Sequence, residues 1–299
     1  MPNATMTEPA FIAALRALAQ DPAARGLDDD VAVIDLGGES LILTHDMMVE
    51  GIHWLPEQDP ADVAWKLVAT NLSDLAAKGA QPLGVLLGYG LGGGEARFLA
   101  GLEEVLRAFA VPLLGGDTVR RGASATHGLT ALGRATHRPV PSRKGARAGD
   151  TLWVTGTLGA AMLGFEALKE GQKGSESPEI AAFTRPVPRL AEGRALAPHV
   201  TAMMDVSDGL LLDTTRLARA SGITLAVDSQ ACPFPASLPP ERRRDALSWG
   251  DDYELLFTLP AGQTPPVPAA CIGKALPPGP APLLLDGQAP AGVLGYEHG

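Results

Sequence analysis

Apolar residues recur along this chain with the spacing of amphipathic helices in some segments and of buried strands in others. The clearest helical pattern runs from Asp62 to Lys78, where apolar positions fall three or four residues apart, and Gly79 predicts the end of the helix. The same reasoning predicts helices over 9–20, 95–110, 159–170 and 209–221. Strands are predicted over 41–44, 82–91, 126–135, 151–156, 223–228 and 253–259, with a buried strand in 111–118 that runs into a Gly-rich turn.

The segment 137–150 interrupts this alternation of helices and strands. It is basic, contains Pro and Gly and shows no apolar period, which is typical of a connection between domains. We therefore predict two lobes of α/β or α+β type, an N-terminal domain over 1–137 and a C-terminal domain over 138–299. Polar or Pro-rich loops are expected at 171–179, 260–268 and 277–283.

Composition narrows the classes of protein that fit this pattern. The 299 residues are 45% hydrophobic and 19% charged, with a formal net charge of −10. Such an acidic chain is not expected to bind nucleic acid, because that binding depends on neutralising phosphates with basic residues. Cys232 and Cys271 lie far apart, which disfavours a zinc site or a disulfide framework. With no apolar run long enough to span a membrane and no signal-like N-terminus, a cytoplasmic protein is expected.

Five short aspartate-bearing strings give the first indication of chemistry. They are DDDVAV (28–33), THDMMVEGIH (44–53), NLSDLAAKGA (71–80), LLGGDT (113–118) and DVSDGL (205–210). Carboxylates and hydroxyls, without cysteine or clustered histidine, are the ligands that hard cations such as Mg²⁺ prefer. Several such groups in one protein suggest metal ions gathered around a polyphosphate. Phosphoryl or nucleotide chemistry is therefore the first hypothesis.

Each string also has a purely structural interpretation. Asn71 and Asp74 are three residues apart on one helix face, which fits a metal site or an ordinary surface helix. Ser207 or Asp208 fits the N-cap of a helix, although the same helix N-terminus is a ready anion site beside Asp205 and Asp208. From the residues alone, both interpretations stay open.

The remaining strings are equally ambiguous when each is taken singly. The acidic run 28–30 fits a solvated turn, or carboxylates whose mutual repulsion is relieved by cations. The pair Gly115–Gly116 fits a plain turn, or a place where backbone approaches a ligand closely. Asp46 is expected at the end of the strand 41–44, close to the helix that carries Asp74.

Familiar nucleotide-binding and hydrolase motifs do not occur in the sequence. It contains no Walker P-loop, no protein-kinase signature and no GxSxG elbow. A chain of this kind that uses ATP needs a different architecture. The nearest positive charges for phosphate are Arg143 and Arg147, with His53 shortly after Asp46, and each of these also fits a solvated surface position.

In this order and spacing, the five strings together with GDDYELLFT (250–258) resemble the thiamine-monophosphate kinase family. That family belongs to a superfamily with aminoimidazole ribonucleotide synthetase, selenophosphate synthetase and a hydrogenase-maturation protein. The resemblance extends from Asp28 to Tyr296, and VEGIHW (49–54) with GDDYEL favours the thiamine branch.

The resemblance implies ATP-dependent phosphorylation of thiamine monophosphate to thiamine diphosphate, assisted by several Mg²⁺ ions. It also implies a two-lobed aminoimidazole ribonucleotide synthetase-like fold whose N-terminal lobes pair in a homodimer. By the family's pattern, the implied Mg²⁺ ligands are Asp30, Thr44, His45, Asp46, Asp74, Asp117, Asp205 and Asp208. The implied ATP contacts are Gly116, Asp117, Arg143 and Ser207, and the implied thiamine phosphate contacts are His53, Asp251 and Tyr296.

Three positions depart from the family's pattern. Asp28 stands where the family usually has Gly, and His45 stands where it usually has Thr. Asp251 replaces a Glu and is one methylene shorter, which shifts its expected contact to the aminopyrimidine of the substrate. None of these departures removes a carboxylate from the implied site.

No general base or covalent nucleophile is predicted. The implied acceptor is a phosphate monoester with a second pKa of about 6, so it is largely a dianion at neutral pH. The reaction needs cancellation of the repulsion between two polyanions and in-line positioning, which metal-binding carboxylates supply. Direct transfer without a phosphoenzyme is expected.

Two other functions are compatible with parts of the pattern. The first is another ATP-using member of the superfamily, such as an aminoimidazole ribonucleotide synthetase. The second is a non-catalytic protein that binds divalent cations. The second fits less well, because Ca²⁺ modules carry their ligands in one local loop, whereas these strings lie up to about 180 residues apart.

Overall fold

The computed structural model describes residues 7–172 and 177–297. Its helices are α1 (Glu8–Arg16), α2 (Pro60–Ala77), α3 (Glu95–Ala108), α4 (Ala160–Lys169), α5 (Pro178–Thr184), α6 (Leu190–Leu196), α7 (Leu210–Ser221) and α8 (Arg243–Leu247), with 3₁₀ helices at Pro22–Leu27 and Pro240–Arg242. Its strands are β1 (Ala32–Leu36), β2 (Glu39–Val49), β3 (Ala80–Leu91), β4 (Leu113–Arg120), β5 (Thr126–Ala135), β6 (Thr151–Val154), β7 (Ala202–Asp205), β8 (Thr224–Val227), β9 (Leu255–Leu259), β10 (Ala270–Leu276) and β11 (Leu283–Leu285).

The strands form two mixed sheets, one from each half of the chain. The first has the order β1-β2-β5-β3-β4, antiparallel except for the parallel pair β3 and β4. The second has the order β11-β8-β10-β6-β9-β7, antiparallel except for the parallel pair β11 and β8. The predicted mixed α/β architecture with two lobes is confirmed.

Helix α2 is the central element of the molecule. Asp59 caps its N-terminus by accepting a hydrogen bond from the Ala61 N–H at 2.9 Å, and Pro60 occupies the first helical turn. The helix ends before Gly79, whose left-handed φ of 59° is favourable only for glycine. A Cβ at Gly79 would also lie 2.5 Å from the Cβ of Ala197.

Both sheets pack against α2. On one side it contacts β2, β5 and β3 of the first sheet, and on the other it contacts β7 of the second. Its apolar residues share one core with Met203, Leu255 and Phe257 of the second sheet. A second core, formed by residues of the C-terminal half, lies between the second sheet and α7. Polar side chains of α2 are therefore enclosed between the halves instead of facing water.

The boundary between residues 137 and 138 stays a prediction. The two sheets fall on either side of it, but the core around α2 draws residues from both halves. The predicted loop 171–179 is tested only in part, because 173–176 lie outside the described residues. None of the described helices has the length and apolar character that a membrane span requires.

Several predicted elements differ from the observed ones. The strand expected at 41–44 extends from Glu39 to Val49, because β2 pairs with β5 from Leu41 to Val49 and its first residues pair with β1. Asp46 therefore lies within a strand and not at its end. The 111–118 strand was expected to be buried and to end in a turn, but β4 is an exposed edge strand that continues to Arg120.

The N-cap interpretation of DVSDGL, one of the two left open, is wrong. The N-cap of α7 is Gly209, and neither Ser207 nor Asp208 caps the helix with its side chain. Asp213, one turn into α7, instead accepts hydrogen bonds from the N–H groups of Ser207 and Asp208 at 3.1 and 3.0 Å. The chain's own carboxylate thus satisfies two of the amides that an anion was expected to meet.

Candidate active site

Three carboxylates from distant parts of the chain meet in one cluster. Asp30 precedes β1, Asp74 lies on α2 and Asp205 ends β7, and one oxygen of each lies within 4.8 Å of the others. They line a cavity of about 660 Å³, which we call the acidic cavity. Other charged residues that line it are Asp28, Asp29, Asp46, Asp208, Arg16, Arg143, Arg216 and Arg219.

Neighbouring polar groups hold the acids in place. Thr44 donates a hydrogen bond to Asp74, and Ser73 donates one to Asp205 Oδ2 at 2.6 Å. The side-chain oxygen of Asn71 accepts from the Asp46 N–H at 3.0 Å, which ties α2 to β2. The face of α2 predicted for metal binding is therefore turned inward, and the surface-helix alternative is wrong.

Buried cations hold the acidic run 28–30. Lys78 Nζ lies 2.5 Å from Asp29 Oδ1 and 2.5 Å from Asp30 Oδ2, and the lysine side chain is fully buried. Arg143 Nε donates to Asp30 Oδ1 at 2.8 Å. Arg143 is therefore an ion-pairing residue of the cavity wall and not a solvated charge, and the acidic run is not a solvated turn.

Burial raises the pKa of several carboxyl groups here, and repulsion between neighbouring carboxylates adds to the effect. The pKa of Asp46 rises to about 6, with Asp208 and Asp30 as its main charged neighbours. The pKa of Asp205 rises to about 8, and that of Asp74 lies well above its usual range. A divalent cation would relieve this repulsion and displace the protons.

The donor set fits a hard divalent cation. Asp30, Asp74 and Asp205 offer only oxygen ligands, and Mg²⁺ prefers carboxylate and hydroxyl oxygens. Neither cysteine lies in this cavity among the described residues, since Cys232 is buried in the second core. The cluster is therefore a candidate magnesium site.

A second cavity of about 460 Å³ adjoins the first, and we call it the aromatic cavity. Its walls contain Phe165, Phe183 and Trp249, with ring centroids 5.3 Å apart for the two phenylalanines and 5.1 Å apart for Phe165 and Trp249. Both cavities are lined by Asp46, Ser207, Asp208 and Tyr253. A polyanion bound to the acids and a flat ring system bound to the aromatic residues would therefore meet at this shared wall.

The three residues predicted for the substrate all line the aromatic cavity. His53 Nδ1 accepts from the Val49 N–H at 3.0 Å, so the neutral imidazole carries its proton on Nε2. Asp251 accepts from the Tyr253 hydroxyl at 2.8 Å and from Lys66 Nζ at 2.9 Å. Tyr296 joins the wall through its backbone N–H, which donates to the Asp208 carbonyl at 2.9 Å.

Other predicted site residues are not brought to these cavities in the single chain. The His45 side chain points to the outer face of β2, where Nδ1 lies 2.8 Å from Thr130 Oγ1, because neighbouring residues of a strand face opposite ways. Its side chain is therefore not a ligand of this cluster. A metal contact through its backbone carbonyl stays a prediction.

Gly116 and Asp117 lie on the exposed edge strand β4 and line neither cavity. A Cβ at Gly116 would lie 1.9 Å from the Leu87 carbonyl oxygen, so close pairing of β3 and β4 explains this glycine. Their contacts to ATP and metal stay predictions.

Sequence reasoning missed several residues that build the site. Lys66, Phe165 and Phe183 were not singled out, because helical apolar residues and a helical lysine carry no local sign of function. Asp213 was also missed, although an acid one turn into a helix after DVSDGL is a recognisable capping signal.

Comparisons with known proteins agree with this geometry. The family model described as AIR synthase related protein, N-terminal domain, matches residues 28–135, and the corresponding C-terminal domain matches residues 147–264. The fold and the acidic cavity therefore define a protein of the AIR synthase related class.

Individual relatives narrow this class. Thiamine-monophosphate kinase from Escherichia coli K12 is 36% identical over 252 residues, covering 79% of this chain and 76% of the relative. The enzyme of that name from Caulobacter vibrioides is 38% identical over 254 residues, covering 80% and 72%. A solved structure described as AaThiL complexed with AMPPCP and TMP superposes with a TM-score of 0.89 at 26% identity, covering 100% of both chains. This chain belongs to the thiamine-monophosphate kinase family.

Proposed function

We propose that this protein catalyses the ATP-dependent phosphorylation of thiamine monophosphate to thiamine diphosphate. The observation that carries the proposal is the junction of the two cavities, which share Asp46, Ser207, Asp208 and Tyr253. A triphosphate fits the acidic side when cations are present, and an aromatic acceptor fits the other side. The names of the relatives support the same reaction.

The acid cluster is the proposed holder of Mg²⁺. Asp30, Asp74 and Asp205 form its centre, and Thr44, Asp46 and Asp208 are further proposed ligands at its edge. When bound, Mg²⁺ neutralises the phosphate charges that would otherwise keep donor and acceptor apart. The clustered carboxylates and their raised pKa values support several ions over one, because more acids line the cavity than a single ion needs.

The chain's own side chains position the two substrates. Arg143 and Ser207 line the acidic cavity and are the proposed contacts to ATP phosphates. His53, with its proton on Nε2, is a proposed donor to the acceptor phosphate, and Asp251 a proposed acceptor for the aminopyrimidine amino group. Phe165 and Trp249 offer ring faces to the cationic thiazolium. No side chain needs to remove a proton from a phosphate dianion.

The assay of this proposal uses the purified chain with ATP, Mg²⁺ and thiamine monophosphate. We expect thiamine diphosphate and ADP in a one-to-one ratio, with no product when thiamine replaces thiamine monophosphate. Release of ADP and inorganic phosphate without thiamine diphosphate would show that ATP is used on another acceptor. Trapping of a phosphorylated aspartate during turnover would contradict direct transfer.

We also propose that the protein is a homodimer joined through its first sheet. Strand β4 is an edge strand with exposed Leu113, Leu114 and Val119, and open apolar edges are usually covered in native proteins. A second copy on this edge gives Gly116 and Asp117 a partner surface, which one chain alone does not.

The oligomeric state tests this proposal. Sedimentation equilibrium should give twice the mass of one chain, and Val119→Lys should shift the mass toward the monomer because it places a charge in the apolar contact. Leu36→Lys is the matched control, since Leu36 is similarly exposed (56% against 58%) but lies on β1 at the opposite edge of the sheet. A wild-type protein that is monomeric at micromolar concentration would contradict the proposal.

A further inference from the structure

Lys66 of α2 is a fully buried lysine beneath the aromatic cavity. Its Nζ donates to Asp251 Oδ2 at 2.9 Å and to the His53 carbonyl at 3.1 Å. The same ammonium lies 3.8 Å from the centroid of the Phe183 ring. One cation therefore contacts three walls of the cavity, which come from the turn after β2, the loop before β9 and helix α5.

The contact with Asp251 fixes the direction of its carboxylate. Lys66 occupies Oδ2 and the Tyr253 hydroxyl occupies Oδ1, so the group cannot rotate without breaking a bond. Asp251 and Tyr253 have left-handed φ values of 58° and 51°, which non-glycine residues adopt only when the surroundings hold them. The backbone of this loop is held from the other side by the Asp251 N–H, which donates to the Ser207 carbonyl at 2.8 Å.

The position of Lys66 on α2 also relates the aromatic cavity to the acid cluster. Lys66 and Asp74 are eight residues apart on one continuous helix, about 12 Å along its axis at the usual rise. Thr70, between them, lines the aromatic cavity, and Asn71 holds Asp46 at the shared wall. A rigid helix thus sets the separation between the groups that Lys66 holds and the acid cluster.

We propose that Lys66 is a positioning residue that selects the phosphoryl acceptor by holding Asp251, the His53 turn and Phe183 in one arrangement. Lys66 acts through these residues and does not touch the reacting atoms. This inference rests on the proposed function and deepens it, because it assigns acceptor recognition to a residue of the N-terminal half acting on a loop of the C-terminal half. ATP recognition should depend little on Lys66, since His53, Asp251 and Phe183, through which it acts, line the aromatic cavity and not the acidic cavity.

The test compares Lys66→Met with the wild type in steady-state kinetics and in direct calorimetric binding of thiamine monophosphate. We expect KM and Kd for thiamine monophosphate to rise roughly 10- to 100-fold, the usual penalty for removing a group that orients a binding residue. KM for ATP should change less than about twofold if ATP recognition is independent of Lys66.

Lys169→Met is the matched control. Lys169 also places its Nζ over a ring of the cavity wall, 5.4 Å from the centroid of Phe165, but its side chain is exposed on the last turn of α4. The same substitution there should leave both KM values unchanged.

A double-mutant cycle with Asp251→Asn separates positioning from general stabilisation. If Lys66 acts through Asp251, Lys66→Met should add less to the KM of the Asp251→Asn variant than to that of the wild type. Equal increases in KM for both substrates, or an unchanged Kd for thiamine monophosphate in a folded Lys66→Met protein, would overturn the inference.

A second variant at Lys66 and a binding measurement on the wild type separate failure of this inference from failure of the proposed function. Lys66→Gln keeps hydrogen-bond donors without the charge, and it replaces Lys66→Met if that variant does not fold. Binding of thiamine monophosphate by a wild type that forms no thiamine diphosphate would refute the proposed function while leaving the role of Lys66 testable through Kd. A wild type that turns over normally while a folded Lys66→Met protein shows unchanged Kd and KM would refute the role of Lys66 alone.

Discussion

Asp74→Asn is expected to lower kcat by roughly 10²- to 10³-fold, the range seen when a preorganised electrostatic group is removed from an active site. It should at the same time raise the melting temperature of the metal-free protein at neutral pH. Asp74 sits among Asp30, Asp46 and Asp205, and burial with these neighbours holds its pKa well above the usual range. The neutral amide removes a carboxyl group that is costly to ionise there, but also a proposed ligand for Mg²⁺.

The sign of the pH dependence follows from the raised pKa values. A carboxyl group whose folded pKa is raised contributes stability fully below its unfolded pKa, near 3.8, and loses it as pH rises through the folded value. With folded values of about 6 for Asp46 and about 8 for Asp205, the metal-free protein should lose stability between about pH 4 and pH 8. Adding Mg²⁺ should restore the lost stability, and the increase in melting temperature on adding Mg²⁺ should be smaller for Asp74→Asn than for the wild type.

Thermal melts of wild type and Asp74→Asn, with chelator and with Mg²⁺, measure both effects. Asp35→Asn is the control, because the Asp35 side chain is 69% exposed on β1 and lies outside the acidic cavity. Its melting temperature should depend on Mg²⁺ as the wild type does. An Asp74→Asn protein that keeps full activity, or that gains as much from Mg²⁺ as the wild type, would remove Asp74 from the metal site.

Lys78→Met is expected to lower the free energy of unfolding by about 3–5 kcal/mol at pH 7, the usual cost of removing one partner from a buried ion pair. The Lys78 ammonium lies 2.5 Å from both Asp29 and Asp30, and all three side chains are at most 2% exposed. Without it, the described residues leave the two neighbouring carboxylates Arg25 and Arg143 as counter-ions. The difference in the free energy of unfolding between Lys78→Met and wild type should become smaller at acid pH.

This pH dependence of the stability difference follows from the lowered pKa of Asp29. Burial alone would raise the pKa of Asp29, but Lys78 and Arg25 outweigh it and hold the pKa well below the usual range. A lowered carboxyl pKa contributes stability above the unfolded pKa near 3.8 and loses it as pH falls through the folded value. The difference between Lys78→Met and wild type should therefore be full at pH 7 and shrink below about pH 4.

Urea denaturation at pH 7 and at about pH 2, below the unfolded pKa of the carboxyl groups, measures the difference. Lys144→Met, at an exposed lysine in the connecting segment, should be within about 0.5 kcal/mol of wild type. Adding Asp29→Asn to Lys78→Met should recover part of the loss, because one unpaired carboxylate is then neutral. A Lys78→Met protein as stable as the control would mean that Arg25 and Arg143 are enough to compensate the charges of Asp29 and Asp30.

Helix α2 shows why part of this structure follows from local sequence. Its Asp59-Pro60 start, its apolar period and its end at Gly79 are each specified by residues a few positions apart. The resemblance of the strings to a known family then indicated the fold and reaction, because such motifs can be recognised without knowing which helices and strands are in contact. It also brought His53, Asp251 and Tyr296 together as one set, and the structure places all three on one cavity.

Strand β4 shows where local reading fails. Leu113 and Leu114 are as apolar as core residues, yet both are about half exposed, because β4 is the edge of its sheet. Gly116 looked like part of a ligand-binding turn, but its glycine is required by the approach of the Leu87 carbonyl. The exposure of a strand residue and the strands beside it depend on the order of strands in the sheet. A short segment of sequence does not specify that order.

Short-range patterns therefore specified the elements with strong caps and periods, and the motifs indicated the acidic ligand chemistry and the family. Which carboxylates meet follows instead from long-range packing, since Asp30, Asp74 and Asp205 are brought together by the packing of α2 between two sheets. The same packing buries Lys66 and Lys78 as ion-pair partners, which no local pattern indicates. The reason is physical: hydrogen bonds within helices and turns are local, whereas burial, ion pairing and pKa shifts arise from groups that folding brings together from distant positions.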